Sequence, residues 1–180
     1  MPAYMLGSKK PRIHPTAVLA PNSTIIGDVV IGPRTSIWPG AVIRGDYGYI
    51  RIGSDCSIQD NVVIHCSAEN PTIIGDGVTV AHSAVVHACR VGDECLIGVG
   101  AIIFDGARIG KHSILGVGST VLGGARIPPR SVAVGAPAKI IRRAADKDVR
   151  LIKESYRAYV EMGRRYATSG VYKKPVFLGD

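Results

Sequence analysis

The chain holds 180 residues, of which 46% are apolar and 20% charged; this excludes a disordered protein and leaves one domain with a sizeable core and room for an appendage. No apolar run approaches the roughly 18 residues of a membrane span, no apolar signal stretch follows Lys9, Lys10 and Arg12, and Cys56, Cys66, Cys89 and Cys95 form no CxxC pair, so a reducing cytoplasm without disulfides or cysteine-based zinc is expected. The net charge of +8 is uneven, with 11 Lys and Arg against 9 Asp and Glu in residues 1–138 but 11 against 5 in residues 139–180; a solvated helix face accounts for the basic tail, and neither nucleic acid nor a membrane is expected as a partner.

Residues 1–12 are an N-terminal segment ahead of any pattern. From Ile13 an aliphatic residue recurs every six positions. The first run is Ile13, Leu19, Ile25, Ile31, Ile37 and Ile43, and the second is Ile52, Ile58 and Ile64. The third runs Ile73, Thr79, Val85, Val91, Ile97, Ile103, Ile109, Leu115, Val121, Ile127 and Ala133. Of these 20 positions 18 are Ile, Leu or Val, which chance does not produce. The joins after Ile43 and Ile64 each carry three extra residues, near Tyr47-Gly48-Tyr49 and near Ala68-Glu69-Asn70-Pro71.

Six residues are too few for a helix pair or a hairpin. A short strand of β-branched residues followed by a corner fits them. Three strands per coil make a triangular prism over residues 13–138, an all-β solenoid whose coils stack at about 4.8 Å. The 20 hexads amount to about six to seven coils. Gly27, Gly32, Gly92, Gly98, Gly110 and Gly116 suit corners that need unusual backbone angles. The period does not set the handedness of the coil.

Pro128-Pro129 and Gly135-Ala136-Pro137 punctuate the exit. In residues 139–180 the spacing of Val149, Ile152, Tyr156, Tyr159, Val160 and Met162, with Tyr166 beyond, predicts an amphipathic α-helix. Asp146 is placed as its cap, and Gly170 lies past its end. Half of the chain's ten aromatics lie in this tail, where they pack the helix and tail on the prism.

Five histidines occur: His14, His65, His82, His87 and His112. His65 follows inward Ile64 by one residue, and His87 follows Val85 by two. These inward positions are one coil apart, so His65 and His87 share a face, one above the other, where two imidazoles can reach one metal. His82 sits near a corner and projects elsewhere, so a neighbouring copy of the chain is expected to supply it. Three neutral imidazoles leave a zinc position open for water, whose pKa the metal lowers to about 7. Gln59 and Asp60 lie one hexad before His65. Gln59 is placed to orient metal-bound water, and Arg44 to pair with Asp46 or Asp60. His14 and His112 read as ordinary corner residues. Cys66 and Cys89, which flank the histidines, read as small buried residues.

Arg44-Gly45-Asp46, Gln59-Asp60-Asn61, His65, His82 and His87 together resemble the signature of the gamma-class carbonic anhydrases of the hexapeptide-repeat superfamily. Gly135-Ala136-Pro137-Ala138-Lys139 matches too, but related acyltransferases share it. The resemblance implies a left-handed parallel β-helix and a homotrimer with a metal at each subunit interface. The implied cofactor is Zn2+, with Fe2+ or Co2+ as alternatives. His65 and His87 would come from one subunit and His82 from the next. Gln59 would contact the water on the metal, and Arg44 and Asp60 would pair across the interface. The implied reaction hydrates carbon dioxide to bicarbonate by attack of metal hydroxide.

The chain departs from the best-known active members in its short loop His65-Cys66-Ser67-Ala68-Glu69-Asn70-Pro71, where only Glu69 is acidic, and at Tyr47 and Ser57. Tyr159 resembles a tyrosine that reaches the site in short-loop members. The competing readings are a metal hydrolase or thioesterase, a coenzyme A-dependent acyltransferase, and a catalytically inactive binding protein.

Overall fold

A computed structural model describes residues 3–172. They form a parallel β-solenoid of about seven turns with one C-terminal helix. The three faces of the prism follow from the pairing register.

The first face stacks Val18–Leu19, Ser36–Ile37, Ser57–Ile58, Thr79–Val80, Leu96–Ile97, Ile114–Leu115 and Ser131–Val134, and Lys139–Arg143 adds an antiparallel strand at its end. The other two faces are joined into one sheet because Thr24–Ile31 and Val42–Ile52 run through a corner. Residues 42–44 pair with Val63–His65, while residues 50–52 pair with Thr72–Ile74. The extra residues around Tyr47 are therefore a bend inside one long strand, and those around Ala68 are a loop between two strands. The second face continues through Val85–His87, Ile102–Ile103 and Thr120–Val121, and the third through Arg90–Val91, Arg108–Ile109 and Arg126–Ile127.

Inward aliphatics fill the prism, with Ile25, Ile43, Ile58, Ile64, Ile97 and Ile103 fully buried. The six-residue frame holds up to Ile64 and again from Val91. Between them it is corrected by one residue. Ile74, Val80 and Val86 face inward, not Ile73, Thr79 and Val85. The join after Ile64 is ten residues long, and Val86 to Val91 closes in five, through a turn at Ala88 with φ 48°. Thr79 is nonetheless buried, because the helix covers it and Ser155 shares a hydrogen bond with it at 3.1 Å.

The glycine expectation is also corrected. Of the six, Gly27 has a positive φ, at 79°, while the others do not. A Cβ at Gly98 would stand 2.6 Å from the backbone of Gly116, and one at Gly110 would stand 2.3 Å from that of Pro129. These residues are small because the next coil passes against them. The left-handed corners are filled instead by other glycines, such as Gly40, Gly77, Gly100 and Gly118, and by residues such as Asp55, Asn61, Ser83 and Glu94.

The helix spans Asp146–Ser169 and ends at Gly170 in the left-handed region. Its first residue is not its own cap. Ala145 is the N-cap, and the Asp148 carboxylate accepts the Ala145 N–H at 2.7 Å. A helix of 24 residues is about 36 Å long, enough to run back along most of the first face. Ile152 is fully buried, and Gly163 packs against Ser36 and Val18. Trp38 meets Tyr159 and Tyr166 edge-on, at 5.6 and 5.0 Å between ring centroids. Met162, placed on the packed face by its spacing, is exposed. Phe177 lies outside the described residues. Among the described residues no helix is long and apolar enough to cross a membrane.

Candidate metal centre

His65 and His87 end their strands and are direct register partners on successive coils. With Val86 inward, each follows its inward residue by one position, so both rings leave the second face in the same direction. His65 Nδ1 lies 3.0 Å from His87 Nε2. Each ring is also held from behind. His65 Nε2–H donates to Asp46 at 2.7 Å, and His87 Nδ1–H donates to Asp105 at 2.5 Å.

That arrangement tests the fit of a cation. With both N–H groups committed to carboxylates, the two facing nitrogens are lone pairs unless a proton or metal lies between them. Such lone pairs, each oriented by an outer carboxylate, are the donor set of a histidine metal site. Burial opposes the charge on Asp46, but hydrogen bonds from His65, the Tyr47 amide and Arg44 outweigh it and hold the carboxyl at about 2. It is therefore a carboxylate at neutral pH.

His82 lies elsewhere, at the corner between the first and second faces. Its Nδ1–H donates to Asp60, one coil above, at 2.8 Å. Its side chain is 46% exposed, and its Nε2 makes no hydrogen bond among the described residues. Among the described residues no three His, Cys, Asp or Glu side chains converge as a metal cluster. One chain brings His65 and His87 together and leaves His82 apart.

Arg44 stacks directly above His65 and pairs with Asp46. Among the described residues it makes no ion pair with Asp60. Gln59 is buried beside Asp60, under Trp38, whose backbone N–H donates to the Ile58 carbonyl. Tyr159 approaches the same corner from the helix; burial raises its phenol pKa, and the Asp60 charge raises it further. Asp105 is absent from the residues the sequence singles out. Its signal was its place 18 residues after His87, one regular coil. Burial pushes the Cys56, Cys89 and Cys95 thiols up to about 12 and raises that of Cys66, so none is a ready thiolate.

Residues 10–45 match the family "Bacterial transferase hexapeptide (six repeats)". The chain is 50% identical over 163 residues to a carbonic anhydrase of Geobacillus kaustophilus, covering 91% of this chain and 90% of that one. It is 40% identical to the mitochondrial gamma carbonic anhydrase 2 of Arabidopsis thaliana, over 89% of this chain and 60% of the plant protein. A crystal structure from Bacillus cereus, provisionally described as an acetyltransferase, superposes with a TM-score of 0.91 at 41% identity, covering 93% of this chain and 97% of that one. Repeat, helix and histidine signature run together over most of the chain's length, and with identities of this size they show that the chain belongs to the gamma-class carbonic anhydrase family of hexapeptide-repeat proteins.

Proposed function

We propose that this protein is a metal-dependent carbonic anhydrase-like enzyme, converting carbon dioxide and water to bicarbonate and a proton at sites shared between subunits of a homotrimer. The observation that carries the reading is the facing pair His65–His87, each ring backed by its own carboxylate, in a chain 50% identical to a carbonic anhydrase. The imidazole set suits zinc, with iron(II) or cobalt(II) as alternatives. His65 and His87 of one subunit and His82 of the next would hold the metal, which supplies water acidic enough to yield a nucleophile at neutral pH.

The remaining work belongs to the chain's own side chains. Asp46, Asp105 and Asp60 each accept one imidazole N–H and so fix the tautomer that leaves the other nitrogen available. Gln59 orients the attacking water through its amide. Arg44, on the coil above His65, meets Asp60 of the neighbouring subunit. Tyr159 keeps its phenolic proton and serves as a donor at the rim. Self-association is supported by apolar residues left exposed around the histidines. Val63 shares the strand of His65, Phe104 and Leu122 continue the column below His87, and Val99 and Val117 continue that below His82.

Stopped-flow carbon dioxide hydration, on protein of assayed metal content, should track occupancy by zinc, iron(II) or cobalt(II) and vanish in His82→Ala. Full occupancy without hydration would remove the anhydrase reading. A second reading, acyl or thioester chemistry, is favoured by the Bacillus cereus neighbour. Turnover of a coenzyme A thioester by metal-loaded protein that does not hydrate carbon dioxide would establish it.

A further inference from the structure

The third face carries neither the paired histidines nor the helix. On it Arg90, Arg108 and Arg126 are direct register partners on three successive coils. Their side chains rise from one column at intervals of about 4.8 Å, and all three residues are exposed. The local sequence explains the arrangement. Arg90-Val91-Gly92, Arg108-Ile109-Gly110 and Arg126-Ile127-Pro128 each give an outward arginine, an inward aliphatic and a compact corner. The result is a groove of ≈490 Å³, lined by the three arginines with Gly92, Gly110 and Pro128 among its other residues.

Elsewhere the solenoid neutralises its arginines, with Arg12 of the first coil as the exception among the described residues. Arg34 holds Asp55 at 2.6 Å, Arg51 holds Asp28 at 2.8 Å, Arg130 holds Asp146 at 2.5 Å, and Arg44 holds Asp46. Arg90, Arg108 and Arg126 make no ion pair among the described residues. Glu69 lines a small cavity beside Arg90 and Arg108 yet pairs with neither. Three like charges one coil apart repel one another, and one acidic residue in the column would relieve them. An anion relieves them equally well.

We propose that this column is a binding site for a linear oligophosphate group. Guanidinium forks match phosphate oxygens in bidentate pairs. A phosphate chain bears charged oxygens at every phosphorus, so it can serve closely spaced arginines in succession. An extended acidic peptide presents a carboxylate on one face only every ~6.6 Å and falls out of step with the coils. The groove has the size of a small-molecule site. A free oligophosphate and the tail of a nucleoside triphosphate share this chemistry.

The test is calorimetric titration of the full chain with inorganic triphosphate, alongside orthophosphate, ATP and a single-stranded oligonucleotide. Triphosphate should bind more tightly than orthophosphate. Arg108→Ala should weaken it about tenfold or more, and Arg108→Lys should recover part of the loss. Arg150→Ala, an exposed cation on the helix, should leave binding unchanged, as should His65→Ala, which removes the metal centre instead. ATP binding as tightly as triphosphate or more so supports the site with a nucleotide as its source, and weaker ATP binding supports it with a free phosphate chain. Absence of triphosphate binding, equal loss in Arg150→Ala or His65→Ala, or a preference for the oligonucleotide would overturn the proposal.

Discussion

Asp105 stands one coil below His87 and takes its Nδ1–H, which keeps Nε2 a lone-pair donor. An amide in its place accepts more weakly and can present its NH2 instead. Asp105→Asn should therefore weaken zinc affinity about 10–100-fold in chelator competition; unchanged affinity would make Asp105 a bystander. Gln59 acts one step further from the metal. Gln59→Ala should keep full metal occupancy while kcat for hydration falls about 100-fold, and unchanged turnover would make its role structural. Asp46 was legible as a partner of Arg44, but its second task, holding His65, was not. One carboxylate serves both because Arg44 and His65 are stacked on neighbouring coils.

Coils and helix set the stability. At Gly98 a methyl group meets backbone, not a side chain that could turn aside. Gly98→Ala should cost about 1–3 kcal/mol in chemical denaturation, without altering metal affinity. The helix start depends on Asp148. Arg142's hydrogen bonds outweigh burial and, with the Ala145 N–H, hold its carboxyl at about 2, below the ordinary 3.8. A carboxyl depressed in the folded state contributes stability that is complete above the unfolded value. That contribution is lost as pH falls from 3.8 towards about 2. Asp148→Asn should be less stable than the parent at pH 7, and the gap should close across that acid window in thermal melts. A gap independent of pH would assign the effect to geometry alone.

At the scale of the whole molecule the question is whether the metal centre belongs to one chain or to two. His65→Ala and His82→Ala should each be trimeric and inactive. In a mixed assembly, an interface that joins the intact His65 and His87 of one chain to the intact His82 of another regains a full set. Equal mixing should restore about one quarter of the sites, read as hydration and as bound metal. A site contained in one chain would show no restoration. The prism suits such sharing, since His82 is at a corner and the pair is on a face.

The fold was legible because the inward side chain recurs locally, every six residues, and burial of that column needs no knowledge of distant contacts. The same period located the joins at Tyr47 and Ala68 and placed the histidine pair on one face. It misplaced Ile73, Thr79 and Val85 by one residue, because a ten-residue join is compensated by a five-residue turn at Ala88. Thr72 and Ile74 are buried on either side of Ile73, and local alternation does not choose between neighbouring frames. Stacking against Ile64 and Ile97 does. The three carboxylates behind the histidines, 18 to 22 residues away along the chain, were likewise hidden until the length of each coil was known. By itself the sequence determined the solenoid, its helix and the residue types of the site. The tertiary structure decided the register, and with it which carboxylate holds which imidazole, because in a solenoid every neighbour outside the local strand is set by how many residues the coil takes to come round.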